Sequence, residues 1–331
     1  MSFTVINKGF SAAIQDLGRP GYQRFGVIVG GVMDAPSAKL ANWLVGNNRG
    51  AAVIEFSYLG PAVRFEQETL FAITGALCQP RLDERAIGCG RPVVAHPGQI
   101  LQVGGVSSGS RGYIAFAGGM DTPPWLGSRS TYERAGQGGW HGRSLREQDS
   151  VPVGRLTDFQ QRLLHKLAAS TTDCNWFASL RRAYKRPAVI RVMRDVHWPL
   201  FTEQSRTAFL ETDYQVTRAS DRMGYRLEGM SIQLQQKRDI YSEAVAFGSI
   251  QVPPNGQPII LMADHQSTGG YPRIAHVAAV DLPLLGQLPP GSRMHFCELA
   301  VDQAERLLLE QMEELDGLQK YVRKKLTLLI E

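Results

Sequence analysis

The feature that most constrains the fold of this chain is a succession of short β-prone runs separated by turn-forming residues. Clear examples are residues 3–6, 70–74, 111–117, 190–193, 259–262 and 274–280. The 34 glycines and 18 prolines of the 331-residue chain punctuate these runs. β-Branched and aromatic residues favour strands, whereas Gly, Pro, Asn and Asp favour the turns between them. This spacing predicts a mainly β protein built from barrels or sandwiches.

Three segments carry helical signals instead. Residues 33–45 offer Asp34 as an N-cap, and residues 157–169 repeat apolar side chains at the period of one helical face. Residues 301–330 form an amphipathic stretch, in which Gly317 is a candidate break. We expect this C-terminal helix either to pack on the core or to dock on a partner.

The length and the 43% hydrophobic content favour two domains over one. A faint repeat supports this: residues 21–26, 55–60 and 114–121 resemble, in the same order, residues 224–229, 243–248 and 274–281. Two copies of one barrel would explain it. The predicted division is a first barrel with a helical insertion (1–155), a helical linker (156–187), a second barrel (188–298) and a C-terminal helix (299–331). The linker holds a polar turn at 170–173 and a basic run at 181–186.

Charge and cysteine usage narrow the function classes. The net charge is +5, and only eight of the 36 basic residues are lysines. The basic residues are scattered and no nucleic-acid recognition motif occurs, so we expect no nucleic acid and favour an anionic small-molecule substrate. The four cysteines lack CxxC spacing, and no leader or apolar span is visible. We therefore expect a reduced, cytoplasmic protein with neither membrane nor metal.

Five clusters of glycine and polar residues stand out from the β background. They are residues 15–21, 118–121 together with 127–131, 136–143, 220–226 and 264–272. Glycine lets the backbone turn sharply and approach a ligand closely, and an Arg beside it can clamp a carboxylate or phosphate. The alternative is plain hairpin turns capped by Asp, Ser and Arg. Five clusters in one chain favour a site shared between the barrels.

The clusters supply the candidate site residues. Carboxylates next to them or to apolar strands are Asp16, Asp34, Glu55, Glu243 and Asp264. A carboxylate in a partly buried site can act as a general acid or base, or it can simply cap a turn or pair with Arg. We take Glu243, Asp264 and Asp16 as the catalytic candidates. The candidate substrate-binding residues are Arg129, Thr131, Gly138, Gly139, Arg143, Arg222, Tyr225, Gln251, Gln266, Thr268 and Tyr271.

The stretches that contain these residues resemble a known family. The matching motifs are QDLGR at 15–19, GVMD at 31–34, ANWLVGN at 41–47, GSRST at 127–131, SDRMGYRLEG at 220–229 and GGYP at 269–272. They are similar to the family of the 5-oxoprolinase C-type subunit, also called the biotin-dependent carboxyltransferase or allophanate hydrolase subunit 2 family. The resemblance runs from about Val5 to Phe296. It implies a pair of cyclophilin-like β-barrels.

The same resemblance implies an activity with partners. It implies hydrolysis of 5-oxo-L-proline to L-glutamate, driven by ATP cleavage, by a complex with A-type and B-type subunits, so the chain is expected to be inactive alone. The chain carries neither GxxxxGK[ST] nor GxGxxG, so ATP is expected to bind by another route or with a partner subunit.

Relatives in this family leave two alternatives open. One is a carboxyltransferase component that moves a carboxyl group from carboxybiotin to urea or a related amide, with biotin supplied on a separate carrier. The other is a regulatory module for a histidine kinase.

One departure from the family pattern bears on the substrate. Family members commonly have Gly-Pro after the strand that opens the second half, and here Met193 is followed by Arg194-Asp195-Val196-His197.

Overall fold

A computed structural model describes residues 1–170, 174–180, 187–236 and 238–331. The predicted basic run at 181–186 and all but the first residue of the predicted polar turn at 170–173 lie outside these ranges. The chain divides into two compact units. Unit 1 contains Met1–Arg19, Asp34–Arg181 and Glu314–Glu331, and unit 2 contains Pro20–Met33 and Arg182–Glu313. The four-part division made from the sequence stays a prediction.

The strands of unit 1 form two antiparallel sheets. In chain order they are β1 (Ser2–Asn7), β2 (Ser11–Gln15), β3 (Val53–Ser57), β4 (Ala62–Phe65), β5 (Thr69–Cys78), β6 (Arg81–Leu82), β7 (Arg85–Ala86), β8 (Val93–Ala95), β9 (Ile100–Gln102), β10 (Val106–Phe116) and β11 (Ser150–Pro152). One sheet has the order β11-β1-β4-β9-β6-β7, and the other has the order β2-β3-β10-β5-β8. Apolar side chains from both sheets form one core, in which Phe3 stacks on Phe116 with ring centroids 4.8 Å apart.

Unit 1 also confirms the first two predicted helices. They are α1 (Ala35–Leu44) and α2 (Asp158–Ala168). Asp34 caps α1, because its side chain accepts from the Ser37 N–H (3.1 Å) and hydroxyl (2.7 Å). Thr157 and Gln160 form a reciprocal capping box at the start of α2. Of the carboxylates weighed as acid–base groups, Asp34 is therefore a helix cap.

Unit 2 contains a closed seven-stranded barrel. The strands of this unit are β12 (Ala188–Arg194), β13 (Asp213–Val216), β14 (Gly224–Glu228), β15 (Glu243–Ala244), β16 (Ser249–Gln251), β17 (Ile259–Leu261), β18 (Thr268–Gly269), β19 (Arg273–Val277) and β20 (Arg293–Glu298), of which seven form the barrel. The barrel order is β12-β19-β16-β17-β14-β13-β20, and β15 and β18 pair in a separate two-stranded sheet. The mainly β architecture predicted from the sequence is confirmed.

Two local predictions were wrong. Residues 274–280 do not form one strand, because β19 ends at Val277 and a 3-10 turn covers Ala279–Asp281. Asp281 draws the chain into that turn by accepting from the Arg191 backbone N–H (2.8 Å) and Nε (2.9 Å). In the proposed repeat, residues 224–228 are strand β14, whereas the matched Gln23–Phe25 is a 3-10 turn.

The other helices are α3 (Glu203–Glu211), α4 (Leu282–Gly286) and α5 (Val301–Ile330), and further 3-10 turns cover Glu133–Ala135 and Trp198–Leu200. Helix α3 was not predicted, because its polar residues weaken the apolar period. Gly317 does not interrupt α5. In the part of the chain that the structure describes, no helix has the length and apolar character needed to cross a bilayer.

We expect Phe209→Ala to destabilise unit 2 by about 3–5 kcal/mol, since it removes a fully buried ring. The Phe209 ring stacks on Phe296 at 4.5 Å, and Trp198 lies edge-on to it. Urea unfolding followed by circular dichroism measures the loss. Phe177→Ala is the matched control, because Phe177 is 60% exposed, and we expect it to change stability by less than about 0.5 kcal/mol. Equal effects of the two changes would contradict the assigned core.

Candidate functional site

The site residues predicted from the sequence fall in both units. Unit 1 holds Asp16, Arg129, Thr131, Gly138, Gly139 and Arg143. Unit 2 holds Arg222, Tyr225, Glu243, Gln251, Asp264, Gln266, Thr268 and Tyr271.

In unit 1 the Asp16 carboxylate is the centre of a hydrogen-bond network. It accepts from the Ser128 hydroxyl, the Ser130 hydroxyl and the Arg129 backbone N–H, each at 2.6 Å, and from the Gly18 N–H at 2.8 Å. We call Asp16, Ser128, Arg129 and Ser130 the Asp16 network. Three of these donors bind Oδ1 and one binds Oδ2, so the loop uses most of the acceptor sites of the carboxylate. The geometry favours a positioning role for Asp16.

The neighbouring side chains of this loop also bind backbone oxygens. Arg129 Nε donates to the Thr122 carbonyl (2.8 Å), and the Thr131 hydroxyl donates to the Ile14 carbonyl (2.9 Å). The Arg19 guanidinium, only 1% exposed as a residue, donates to the Ser130 carbonyl and lies 4.9 Å from the Trp125 ring centre. Arg19 was not among the predicted site residues, although it stands inside the first glycine cluster.

Gly138 and Gly139 allow one loop of unit 1 to approach another closely. A Cβ on Gly138 would lie 2.2 Å from the Ser130 carbonyl oxygen, and one on Gly139 would lie 1.9 Å from the Thr131 hydroxyl. Both glycines have positive φ angles, +69° and +54°. The space beside these glycines is therefore filled by the protein itself.

Arg143 forms a bidentate ion pair with Asp149. Its two terminal nitrogens lie 2.7 and 2.8 Å from the Asp149 carboxylate oxygens. Burial alone would raise the pKa of Asp149, but hydrogen bonds from Arg143 and the Arg146 N–H lower it below its usual value. The predicted anion clamp is thus already engaged with a carboxylate of the chain.

Arg222 in unit 2 is likewise paired with a carboxylate of the chain. Its Nε and Nη2 donate to the two oxygens of Asp264 at 2.8 and 2.9 Å, and Nη2 also donates to the Gly31 carbonyl. The backbone supports the pair, since the Asp264 N–H donates to the Arg222 carbonyl at 2.8 Å. Two residues predicted for different roles, substrate binding and catalysis, are therefore partners.

Arg273 organises a partly buried polar group of unit 2. Its Nε donates to Asp195 (3.2 Å), its Nη2 to Glu243 (3.0 Å) and its Nη1 to the Ala244 carbonyl (2.6 Å). The Arg273 backbone N–H donates to Nδ1 of His197 (3.2 Å). A neutral His197 then carries its proton on Nε2, which lies 3.9 Å from Glu243. We call Asp195, His197, Glu243 and Arg273 the Arg273 cluster.

The remaining predicted residues of unit 2 differ in their exposure to solvent. Tyr225 and Gln251 are each only 2% exposed, so both belong to the interior. Thr268 is exposed and pairs through β18 with β15, and Tyr271 is 46% exposed. Glu243 keeps 45% of its side chain exposed. Among the predicted residues of unit 2, Glu243, Thr268 and Tyr271 are thus open to a ligand.

Arg273, Asp195 and His197 were not predicted as site residues. Arg273 directly follows the GGYP motif at 269–272, and the other two stand in the altered turn after β12. The feature that could have identified them is the pairing of β12 with β19. It places Arg194 opposite Ala275, so that Asp195 lies beside Arg273. A half-exposed carboxylate beside an imidazole can exchange a proton with a bound substrate. Within the described ranges, no three His, Cys, Asp or Glu residues are placed to hold a metal ion.

A buried histidine, His265, and a partly buried one, His276, predict a pH dependence of stability. Burial lowers the pKa of His265 and of His276 below the ordinary 6.5. Protonation of these two side chains is therefore less favourable in the folded state than in the unfolded state. Their contribution to the free energy of unfolding is present above pH 6.5 and is lost as the pH falls through the folded pKa. We expect the free energy of unfolding to decrease between about pH 7 and pH 5, and to decrease less in the variant His265→Gln/His276→Gln. The exposed His165→Gln is the control, and an unchanged slope in the double variant would contradict the assignment.

The comparisons with known proteins agree on one family. The model of the carboxyltransferase domain, subdomain A and B, matches residues 25–298. The C-type subunit of 5-oxoprolinase from Escherichia coli is 35% identical over 314 residues, which are 95% of this chain and 96% of that protein. Urea amidolyase of Lachancea kluyveri is 29% identical over 340 residues, which are 96% of this chain and 18% of that protein.

A solved structure is similar over the same extent. The urea carboxylase of Kluyveromyces lactis superposes with a TM-score of 0.85 at 30% identity, over 96% of this chain and 29% of that one. Sequence and structure therefore agree, and the chain belongs to the family of the carboxyltransferase domain, subdomain A and B.

Proposed function

We propose that this chain is a subunit of an ATP-dependent 5-oxoprolinase that hydrolyses 5-oxo-L-proline to L-glutamate. The observation that carries the proposal is the end-to-end likeness to the C-type subunit of 5-oxoprolinase, over 95% of this chain and 96% of the relative. The urea amidolyase relatives are far longer, since the aligned segment is only 17–18% of each. Two relatives are named as 5-oxoprolinase subunits, which supports A-type and B-type partners, without which we expect no activity.

The chemistry requires activation of an unreactive lactam. Phosphorylation of the lactam oxygen by ATP makes the ring carbon electrophilic. Addition of one water and cleavage of the C–N bond open the ring to an acyl phosphate, and a second water releases phosphate and leaves the new carboxylate. The protein must hold the ring, stabilise the developing charge and supply a base. The Arg273 cluster supports the last role, because the Arg273 side chain binds Glu243 and its backbone N–H binds His197 at a partly exposed position.

The glycine-rich loop of unit 1 does not fit a triphosphate. Its close approaches at Gly138 and Gly139 are filled by Ser130 and Thr131, and Arg143 is held by Asp149. A phosphate-binding loop instead leaves its backbone N–H groups open to the ligand. We therefore propose that ATP binds with a partner subunit and that this chain acts on the activated ring.

Carboxyl transfer from carboxybiotin to urea or a related amide is the second candidate. The TM-score of 0.85 to a urea carboxylase and the family model favour it. The chain has no Met-Lys-Met biotin acceptor, so biotin would arrive on a separate carrier. No observation favours the regulatory module for a histidine kinase, which stays a prediction.

Omission of the chain tests the proposed function. We expect the chain co-expressed with its A-type and B-type subunits to release glutamate and phosphate from 5-oxoproline and ATP, and both products to be lost without it. Unchanged release would overturn the proposal. Carboxyl transfer from carboxybiotin to urea, assayed in parallel, identifies the second candidate.

Within the active complex, we expect Glu243→Gln to lower kcat by about 100-fold or more, since the amide cannot take a proton. The pH–rate profile should lose its acidic limb, and the stability of the chain should stay within about 0.5 kcal/mol because the side chain is half-exposed. Glu211→Gln, an exposed position on α3, is the matched control. An unchanged kcat in Glu243→Gln would remove Glu243 from the mechanism.

A further inference from the structure

Two cysteines of unit 1 lie beside each other at the edge of its core. The Sγ atoms of Cys78 and Cys89 are 3.7 Å apart, and both side chains are half-buried. Cys78 ends strand β5, and Cys89 follows the hairpin of β6 and β7. Their spacing in the sequence matches no metal or redox motif, so the fold alone brings them together.

The surrounding backbone holds the two thiols in this arrangement. The Ile87 N–H donates to the Pro80 carbonyl (3.0 Å), and the Gly90 N–H donates to the Ile73 carbonyl on β5 (2.8 Å). A Cβ on Gly90 would lie 2.4 Å from the Ala178 carbonyl oxygen, so the chain after Cys89 is closely packed. The short sulfur–sulfur distance is thus fixed from both sides of the hairpin.

The two thiols are chemically unequal. A hydrogen bond from Cys78 lowers the pKa of the Cys89 thiol, and the Arg91 guanidinium lowers it further. The same contact and burial raise the pKa of Cys78. Such a pair has one thiol suited to attack an oxidant and a second placed to resolve the product.

We propose that Cys78 and Cys89 form an oxidative modification site, at which a peroxide converts the two thiols into a reversible disulfide. The sulfurs must approach by roughly 1.6 Å to reach the ~2.05 Å of a disulfide, which rotation of the two side chains can supply. The product closes a loop around the β6–β7 hairpin.

The reaction balances in two steps. The Cys89 thiolate attacks one peroxide oxygen, the O–O bond breaks, and the product is a sulfenic acid with hydroxide that takes up a proton to form water. The Cys78 sulfur then attacks the sulfenic sulfur, the S–O bond breaks, and the thiol proton leaves with the hydroxyl as a second water. Two thiols are oxidised by two electrons, and one hydrogen peroxide is reduced to two waters.

Intact-mass spectrometry and peptide mapping test the site on the full chain treated with stoichiometric hydrogen peroxide. We expect a loss of about 2 Da, a Cys78–Cys89 cross-linked peptide and restoration by dithiothreitol. Cys78→Ser should stop at the Cys89 sulfenic acid, which dimedone traps, whereas Cys89→Ser should react far more slowly. Cys297→Ser is the matched control, because Cys297 is exposed and lies outside this pair.

The outcomes separate clearly. Cross-linking of the two residues in the wild type and in Cys297→Ser, together with a higher Tm of the oxidised form, supports the site. Oxidation confined to Cys297, or equal reaction rates of Cys89→Ser and the wild type, overturns it. Both variants replace half-buried thiols with a similar volume, and their Tm values show whether they fold.

Discussion

The barrel of unit 2 depends on the pairing of its first strand with its last. β12 and β20 pair in parallel from Ala188 opposite Met294 to Val192 opposite Glu298, and this contact closes the seven strands. Closure removes the free edges that an open sheet would expose. It also fixes β12 between β20 and β19, so the turn after β12 must end beside the start of β19. The meeting of Asp195 with Arg273 is a consequence of barrel closure.

Ion pairing within the chain decides which arginines remain for a ligand. Arg143 and Arg222 are each committed to a carboxylate in bidentate geometry, and Arg129 donates to a backbone carbonyl. A substrate anion would have to displace these partners, which costs more than binding at an open position. Substrate contact is therefore expected at half-exposed polar groups such as Glu243 and Tyr271. The buried pairs hold the loops that carry such groups.

The architecture could be predicted from the sequence because the signals for strands, turns and helices are local. Periodicity, the Asp34 cap and the turn residues predicted the β class and the helices α1, α2 and α5. The partners of the site residues could not be read in this way, because Arg222 and Asp264 are 42 positions apart and Arg273 and Asp195 are 78 apart. Residue type alone predicts an Arg that could clamp an anion, but not the carboxylate that already occupies it.

The repeat in the sequence also shows that residue type alone does not predict the surroundings of a side chain. Glu55 and Glu243 occupy matched positions, yet Glu55 is 5% exposed and accepts from the Tyr113 hydroxyl at 2.9 Å, while Glu243 lies on the exposed strand β15. Burial raises the pKa of Tyr113, so this phenol stays a hydrogen-bond donor to Glu55. Identical residue types therefore lie in different surroundings: Glu55 completes an internal network, and Glu243 is the half-exposed carboxylate that we propose for proton transfer. Environment, rather than motif, separates the structural carboxylate from the proposed catalytic one.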